Sequence, residues 1–257
     1  MPCEKYPFAI LMTACIAPKA TTRVQRKDPL LRLKDYQTAL HFWLHYPDER
    51  IRAIVFTDNS GYDLSSLKAL AEDNPYHREI EFLQVVEPPL PPANLNLGYG
   101  YGEGDLMDQS FMKSKILAAS EYIVKVTGRL YFPDLSRLIS RMRKDVDILI
   151  DGRHIPFQKA YYVATTLFIV RHDFYMNHLY GIKEKILTER VGIEGCYYKT
   201  LIPLYRNNKK KIQLRFPVNA SPVGVGAHWN KNYSAGLWRC VEVLRGISRI
   251  FLPFLWL

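Results

Sequence analysis

Within its first third the sequence passes twice from a short apolar run to a stretch of helical periodicity. That order restricts the chain to a fold built on parallel crossover units. Phe8 to Cys15 is apolar and ends in small residues, and a polar loop rich in Lys and Arg follows from Ala17 to Asp28. Pro29 stands where a helix can start, and Leu30, Leu33, Tyr36, Ala39, Leu40, Trp43 and Leu44 recur at helical spacing. Ile51 to Thr57 is a second strand, closed by Asp58, Asn59, Ser60 and Gly61, before Leu64 to Ala71 returns to the helical pattern. Ile80 to Val86 predicts a third strand, ended by Pro88, Pro89, Pro91 and Pro92. Sheets of this kind bind ligands beyond the carboxyl ends of their strands, so the loops after Cys15 and Thr57 are expected on the active edge.

The alternation continues with a helix over Asp105 to Ser120, a strand over Tyr122 to Val126 and a helix over Leu135 to Arg143. Strands are expected at Asp147 to Ile150 and Ala164 to Val170, then a helix across Phe174 to Leu187 and another starting near Gly195 to Leu201. At 257 residues the chain suits one α/β domain, 1–205, followed by an irregular flap or lid, 206–236, and an amphipathic tail, 237–257.

A net charge of +10 fits a polyanionic partner, but the cations are scattered apart from Lys209 to Lys211 and no nucleic-acid motif accompanies them. Nucleic acid is therefore not the expected partner. Cys3, Cys15, Cys196 and Cys240 lie too far apart for a zinc motif or a disulfide framework, which suits a reducing, cytoplasmic compartment. The start of the chain lacks the pattern of a signal peptide. From Leu237 to Leu257, Arg239, Arg245 and Arg249 interrupt an apolar, aromatic-ended segment, the composition of a helix lying in a membrane interface. An anionic membrane surface is the expected partner, with the protein peripheral at the cytoplasmic face of an inner membrane.

Two motifs carry candidate chemistry. Gly98, Gly100, Gly102 and Gly104 precede Asp105, a plausible helix cap, and such a loop lets backbone amides approach an anion. Its spacing is not that of the dinucleotide fingerprint. The second runs from Tyr122 to Arg129; if the strand continues, alternation puts Lys125, Thr127 and Arg129 on one face. Gly-x-Ser-x-Gly, Walker, His-Glu-x-x-His and kinase signatures are all missing from the sequence.

The succession FTDNS, GYGYGEGDLMDQSF, EYIVKVTGRLYFP, DGRH and IEGCYYKTL, spread from Phe8 to Leu201, resembles bacterial capsule and lipopolysaccharide glycosyltransferase-like proteins. The layout is similar to the GT-A fold, a Rossmann-related, mostly parallel sheet flanked by helices. The resemblance implies a transferase that moves a sugar from a nucleotide-sugar donor to a glycan or lipid-linked glycan acceptor. It places the donor near Thr13, Arg23, Asp58, Asn59, Gly102, Thr127 and His228, with Asp58 and Asn59 where such folds read base or ribose. Asp151, Arg153 and His154 would hold sugar hydroxyls, and Glu194 would be the base that takes the acceptor's proton. GT-A enzymes usually hold a divalent metal on an Asp-x-Asp at the end of an apolar strand. That place corresponds here to Lys125–Arg129, so no metal ligands are assigned, and Lys125 and Arg129 become candidates for stabilising the leaving group, supplemented by Arg23 and Arg26. Glu103, Asp105 and Asp108 are the acidic residues that would recruit a metal if one is used. Two alternatives share this scaffold: a transferase using another phosphate-activated donor, and a non-catalytic membrane-associated assembly protein.

Overall fold

A computed structural model describes residues 6–19, 24–86, 98–155, 160–226, 230, 232–233 and 235–251. The chain runs β1 (Tyr6–Ala14), α1 (Pro29–Leu44), β2 (Ile51–Asp58), α2 (Ser65–Leu70), β3 (Glu79–Gln84), α3 (Gly98–Lys113), α4 (Lys115–Ala119) and β4 (Ser120–Thr127). It continues through β5 (Leu130–Tyr131), α5 (Leu135–Arg141), β6 (Ile148–Ile155), β7 (Ala160–Val170), α6 (His172–Phe174) and a π-helical turn at Tyr175–Leu179. Then come α7 (Lys183–Glu189), α8 (Ile193–Asn207), β8 (Ile212–Gln213), β9 (Val223–Gly224) and α9 (Gly236–Phe251). Seven strands form one sheet in the order β3-β2-β1-β4-β7-β6-β8, and β5 pairs with β9 in a separate ribbon. Neighbours in the large sheet are parallel except at β7, which is antiparallel to both β4 and β6.

Both faces of the sheet are covered, which is why its strands read as apolar runs and not as alternating ones. Phe8, Ile10 and Met12 join a core with Trp43, Leu67 and Leu138, under α1, α2 and α5. Ala9 and Leu11, pointing the other way, join Met107, Phe111, Ile186 and Tyr197, under α3, α7 and α8. Side chains of this size contribute roughly 1.5–3 kcal/mol each when fully buried. Parallel register aligns Thr13 with Thr57 of β2 and with Thr127 of β4. The three strands therefore end level, and the turns that follow them lie side by side. α1 starts where the sequence predicts: the Asp28 carboxylate accepts from the Leu30 and Leu31 amides, and Pro29 needs no partner for a missing N–H.

Three expectations need correction. The helix expected from Asp105 begins at Gly98, so the glycines lie inside α3 and Asp105 is not its cap. Glycine costs a helix about 1 kcal/mol relative to alanine, and close packing explains its use. A Cβ on Gly104 would meet Lys183 Cβ at 2.9 Å, and one on Gly100 would lie 3.5 Å from the Ile193 amide nitrogen. The helix expected across Phe174 to Leu187 is broken by the π turn and by Gly181 at φ +74°. Part of the segment expected to be an irregular flap is core: β8 closes one sheet edge, and Ile212, Leu214 and Phe216 are buried. Among the described residues no helix is long and apolar enough to cross a membrane.

Candidate active site

β4 stops at Thr127 because Gly128 turns the chain against β1. Its amide donates to the Thr13 carbonyl at 2.9 Å, and a Cβ there would stand 2.7 Å from the same oxygen. Lys125, Thr127 and Arg129 consequently do not line one face. Lys125 points toward α3, whereas Arg129 points toward α1, with its guanidinium 5.8 Å from the centre of the Tyr36 ring.

Lys125 is fully buried, and its ammonium donates to Glu103 and, at 2.7 Å, to the Thr165 carbonyl. It has no exposed surface, and two acceptors already engage its ammonium. Arg129 is also buried, and one terminal nitrogen donates to the Val225 carbonyl at 2.7 Å. Its Nε is buried with no partner, an unusual state for such a donor.

Glu194 lies in the first turn of α8. Gly192 clears its space, since a Cβ there would stand 2.8 Å from a Glu194 carboxylate oxygen. The α3 glycines let the start of α8 press against the helix that carries Glu103. Burial, and then the negative charge of Glu103, push the Glu194 pKa up, while a backbone hydrogen bond and then Lys125 pull it down. Lys183 ties α3 to α7 by pairing with Asp105 at 2.9 Å and Asp108 at 2.8 Å.

A cavity of about 140 Å³ opens beside Glu194, with Arg153, Tyr162, Thr165, Tyr233 and Glu242 among its walls. Arg153 reaches it from β6 and is held by Asp151 at 3.1 Å. Burial opposes the charge on Arg153, but Asp151, Tyr162 and Glu242 together outweigh it and the pKa is raised. Asp151 itself is fully buried and does not line the cavity. The side chain of His154, and all of Arg23 and His228, lie outside the described residues.

The donor-side candidates divide. The Asp58 carboxylate is fully buried and accepts from the Ile16 amide at 2.9 Å and the Ser60 amide at 2.8 Å. It fastens the turns after β1 and β2 together. Asn59 next to it keeps a buried side-chain oxygen without a partner. The Thr13 hydroxyl donates to the Val126 carbonyl at 3.3 Å, and Gly102 is internal to α3. Half-buried Thr127 stands level with Thr13 at the strand ends. Arg26 is held by Asp35 at 2.8 Å and by Asn230 at 3.1 Å, a contact from the flap to the first loop.

Sequence reasoning missed Tyr162, Thr165, Tyr233 and Glu242. The one signal for Glu242 is that it is the sole acidic residue between Gly236 and Phe251. Among the described residues, the carboxylates expected to recruit a metal are already paired with cations. Cations occupy the strand end where carboxylates would be required, Glu103 is engaged by Lys125, and Asp105 and Asp108 are engaged by Lys183.

No family model and no curated protein matches the sequence. Among solved structures, the chain is similar to the mannosyltransferase PcManGT from Pyrobaculum calidifontis, solved with GDP-Man and Mn2+: TM-score 0.53, 13% identity, 95% of this chain and 63% of that one. It is also similar to the yeast (S. cerevisiae) mannosyltransferase Ktr4p in complex with GDP, at TM-score 0.48 and 10% identity over 77% of this chain and 66% of that one. A third is 4-diphosphocytidyl-2C-methyl-D-erythritol synthase from Anaerococcus prevotii, at TM-score 0.46 and 11% identity over 94% and 95%. The likeness to the Pyrobaculum structure, over nearly the whole chain, establishes a GT-A-like α/β fold.

Proposed function

We infer that the protein is a glycosyltransferase that moves a sugar from a nucleotide-activated donor to a hydroxyl of a glycan acceptor. The observation that carries this reading is Glu194, a carboxylate of raised pKa in the wall of a cavity on a GT-A-like sheet. A base of raised pKa takes a proton from an attacking hydroxyl more readily than an ordinary carboxylate does. The donor's sugar–phosphate bond breaks as the new glycosidic bond forms, and negative charge accumulates on the departing diphosphate. Arg129, with an unpartnered Nε at the end of the strand, is the described cation suited to receive that charge. Lys125 acts from below: it moderates the pKa of Glu194 and holds Glu103.

In this reading the acceptor is lipid-linked, and the pathway is bacterial surface-polysaccharide synthesis at the cytoplasmic face of the inner membrane. The support is α9, which exposes Val243 by 55%, Leu244 by 63%, Ile247 by 47% and Phe251 by 74%. These positions share one helical face, beside exposed Arg239, on a chain of net charge +10.

The test is a thermal-shift screen of sugar nucleotides, with and without magnesium or manganese, followed by transfer assays on Glu194→Gln. At least one sugar nucleotide is expected to raise Tm, because a ligand of the native state stabilises it. Glu194→Gln is expected to keep that shift and to lose transfer by about 10²–10⁴-fold. A protein that no sugar nucleotide stabilises, or a variant that transfers at the wild-type rate, refutes the reading.

A further inference from the structure

α9 has two faces with different chemistry, and its inward face belongs to the cavity. Glu242 is 6% exposed, lines the cavity beside Glu194 and Tyr233, and is paired with Arg245 one turn on. Its negative charge acts on Arg153 and on Tyr233, both of which line the same cavity. The helix backbone is seated as well: Asn219 donates to the Glu242 carbonyl at 3.4 Å, and Gly246 lets Asn219 approach closely. An acid on an otherwise apolar and basic interfacial helix opposes binding to an anionic surface. Glu242 avoids that cost by pointing inward and pairing with Arg245.

The cavity chemistry suits an uncharged, hydroxyl-rich ligand. Two carboxylates accept hydrogen bonds, the Thr165 hydroxyl and Arg153 donate them, and Tyr162 and Tyr233 add ring surface. We propose that the cavity is the acceptor-sugar subsite, that Glu242 positions the acceptor hydroxyls there, and that docking of α9 on an anionic bilayer strengthens acceptor binding. This rests on the transferase reading above. The linkage is physical: one helix supplies a wall of the subsite and the apolar stripe that meets lipid, so whatever orders the helix for one ligand orders it for the other. Such coupling is reciprocal.

The experiment measures binding of a panel of methyl glycosides to the full chain by saturation-transfer NMR, with and without vesicles containing phosphatidylglycerol. Vesicle flotation is measured in parallel, and the melting temperature of every variant is checked. Wild type is expected to float and to bind at least one glycoside about fivefold or more tightly with vesicles, the lower range of allosteric coupling. The double variant Leu244→Gln, Ile247→Gln, altered only on the exposed face, is expected to lose flotation and the enhancement but to keep vesicle-free binding. Glu242→Gln is expected to float normally and to bind the glycoside about tenfold more weakly, as when one charge-assisted hydrogen bond is lost. Flotation with unchanged glycoside affinity overturns the linkage and leaves membrane docking intact. Failure to float overturns docking and linkage together. Wild-type glycoside affinity in Glu242→Gln, or no glycoside binding by wild type, overturns the subsite.

Discussion

Lys125→Met separates the leaving-group role expected from the sequence from the role suggested by its place beside Glu103. If the ammonium contacts a leaving diphosphate, its removal lowers turnover by the same factor at every pH. If it acts on Glu194, its removal lets the Glu194 pKa rise further, since burial and Glu103 push that pKa up, while a backbone hydrogen bond and then the Lys125 charge pull it down. Loss of that opposite charge should therefore move the acid limb of kcat/KM to higher pH. On that limb the ionised fraction, and with it turnover, falls. Stability sets a bound on the experiment. Glu103 is 27% exposed and can regain water when its partner is lost, so the cost should be about 1–3 kcal/mol, less than for a fully buried charge left alone. Lys125→Ala is the poorer variant, because three buried methylenes at about 0.8 kcal/mol each add roughly 2.4 kcal/mol of packing loss. The assay is a pH–rate profile for transfer, with urea denaturation to verify folding. A folded Lys125→Met enzyme whose acid limb stays put while kcat falls uniformly would refute the positioning role.

Gly128→Ala should lower stability by about 1–3 kcal/mol, with an unchanged denaturant m-value, because the new Cβ would stand 2.7 Å from the Thr13 carbonyl oxygen and two strand ends would have to separate. Asp48 supplies an acid-sensitive term. Burial opposes its ionisation, but hydrogen bonds from Arg50 and Ser136 outweigh this and bring its pKa from 3.8 to about 2. That lowered pKa stabilises the fold by about 2 kcal/mol above pH ~4 and the gain is lost as pH falls toward ~2, so Asp48→Asn should cost this much at neutral pH and flatten the acid dependence. Glu194 has the opposite sign, being raised: stability is full below its unfolded pKa and declines as pH rises through the folded one. Glu194→Gln should therefore melt higher than wild type at neutral pH while transferring poorly, and a lower melting temperature would contradict the burial argument.

The sheet was legible because periodicity is local. Ile51 to Thr57 and Tyr122 to Val126 read as covered strands, and Pro29 marks a helix start that the structure reproduces. What the sequence hid depends on partners distant in the chain. The glycines from Gly98 to Gly104 imitate a phosphate loop, and only the approach of Lys183 and Ile193 explains them as helix packing. Asp58 has the position of a ligand reader, yet its carboxylate is committed to Ile16 and Ser60. Lys125 looks like an exposed strand-end cation until Glu103, 22 residues earlier, is brought beneath it. The tail's two-faced pattern was readable, but not that its one acid enters the cavity beside Glu194.

The proposed roles also account for how charge is distributed along the active edge. The ends of β1, β2 and β4 carry Arg129 with a free Nε and Asn59 with a free side-chain oxygen. Across β7 the character inverts, with Glu194 and Glu242 in the cavity wall and Glu103 nearby, opposed by Arg153 and by buried Lys125. Tyr233 lies where the two halves meet, within the influence of both Arg129 and Arg153. In the proposed reading the donor's diphosphate lies between its nucleoside and its sugar, so this gradient would draw the phosphates toward Arg129 and away from the cavity. The sugar would then reach toward Glu194. The same field disfavours an acceptor with carboxylate or phosphate at the attacking residue and favours a neutral, hydroxyl-rich one. A charged acceptor sugar should consequently bind more weakly than its neutral counterpart, and the difference should shrink in Glu242→Gln and with added salt.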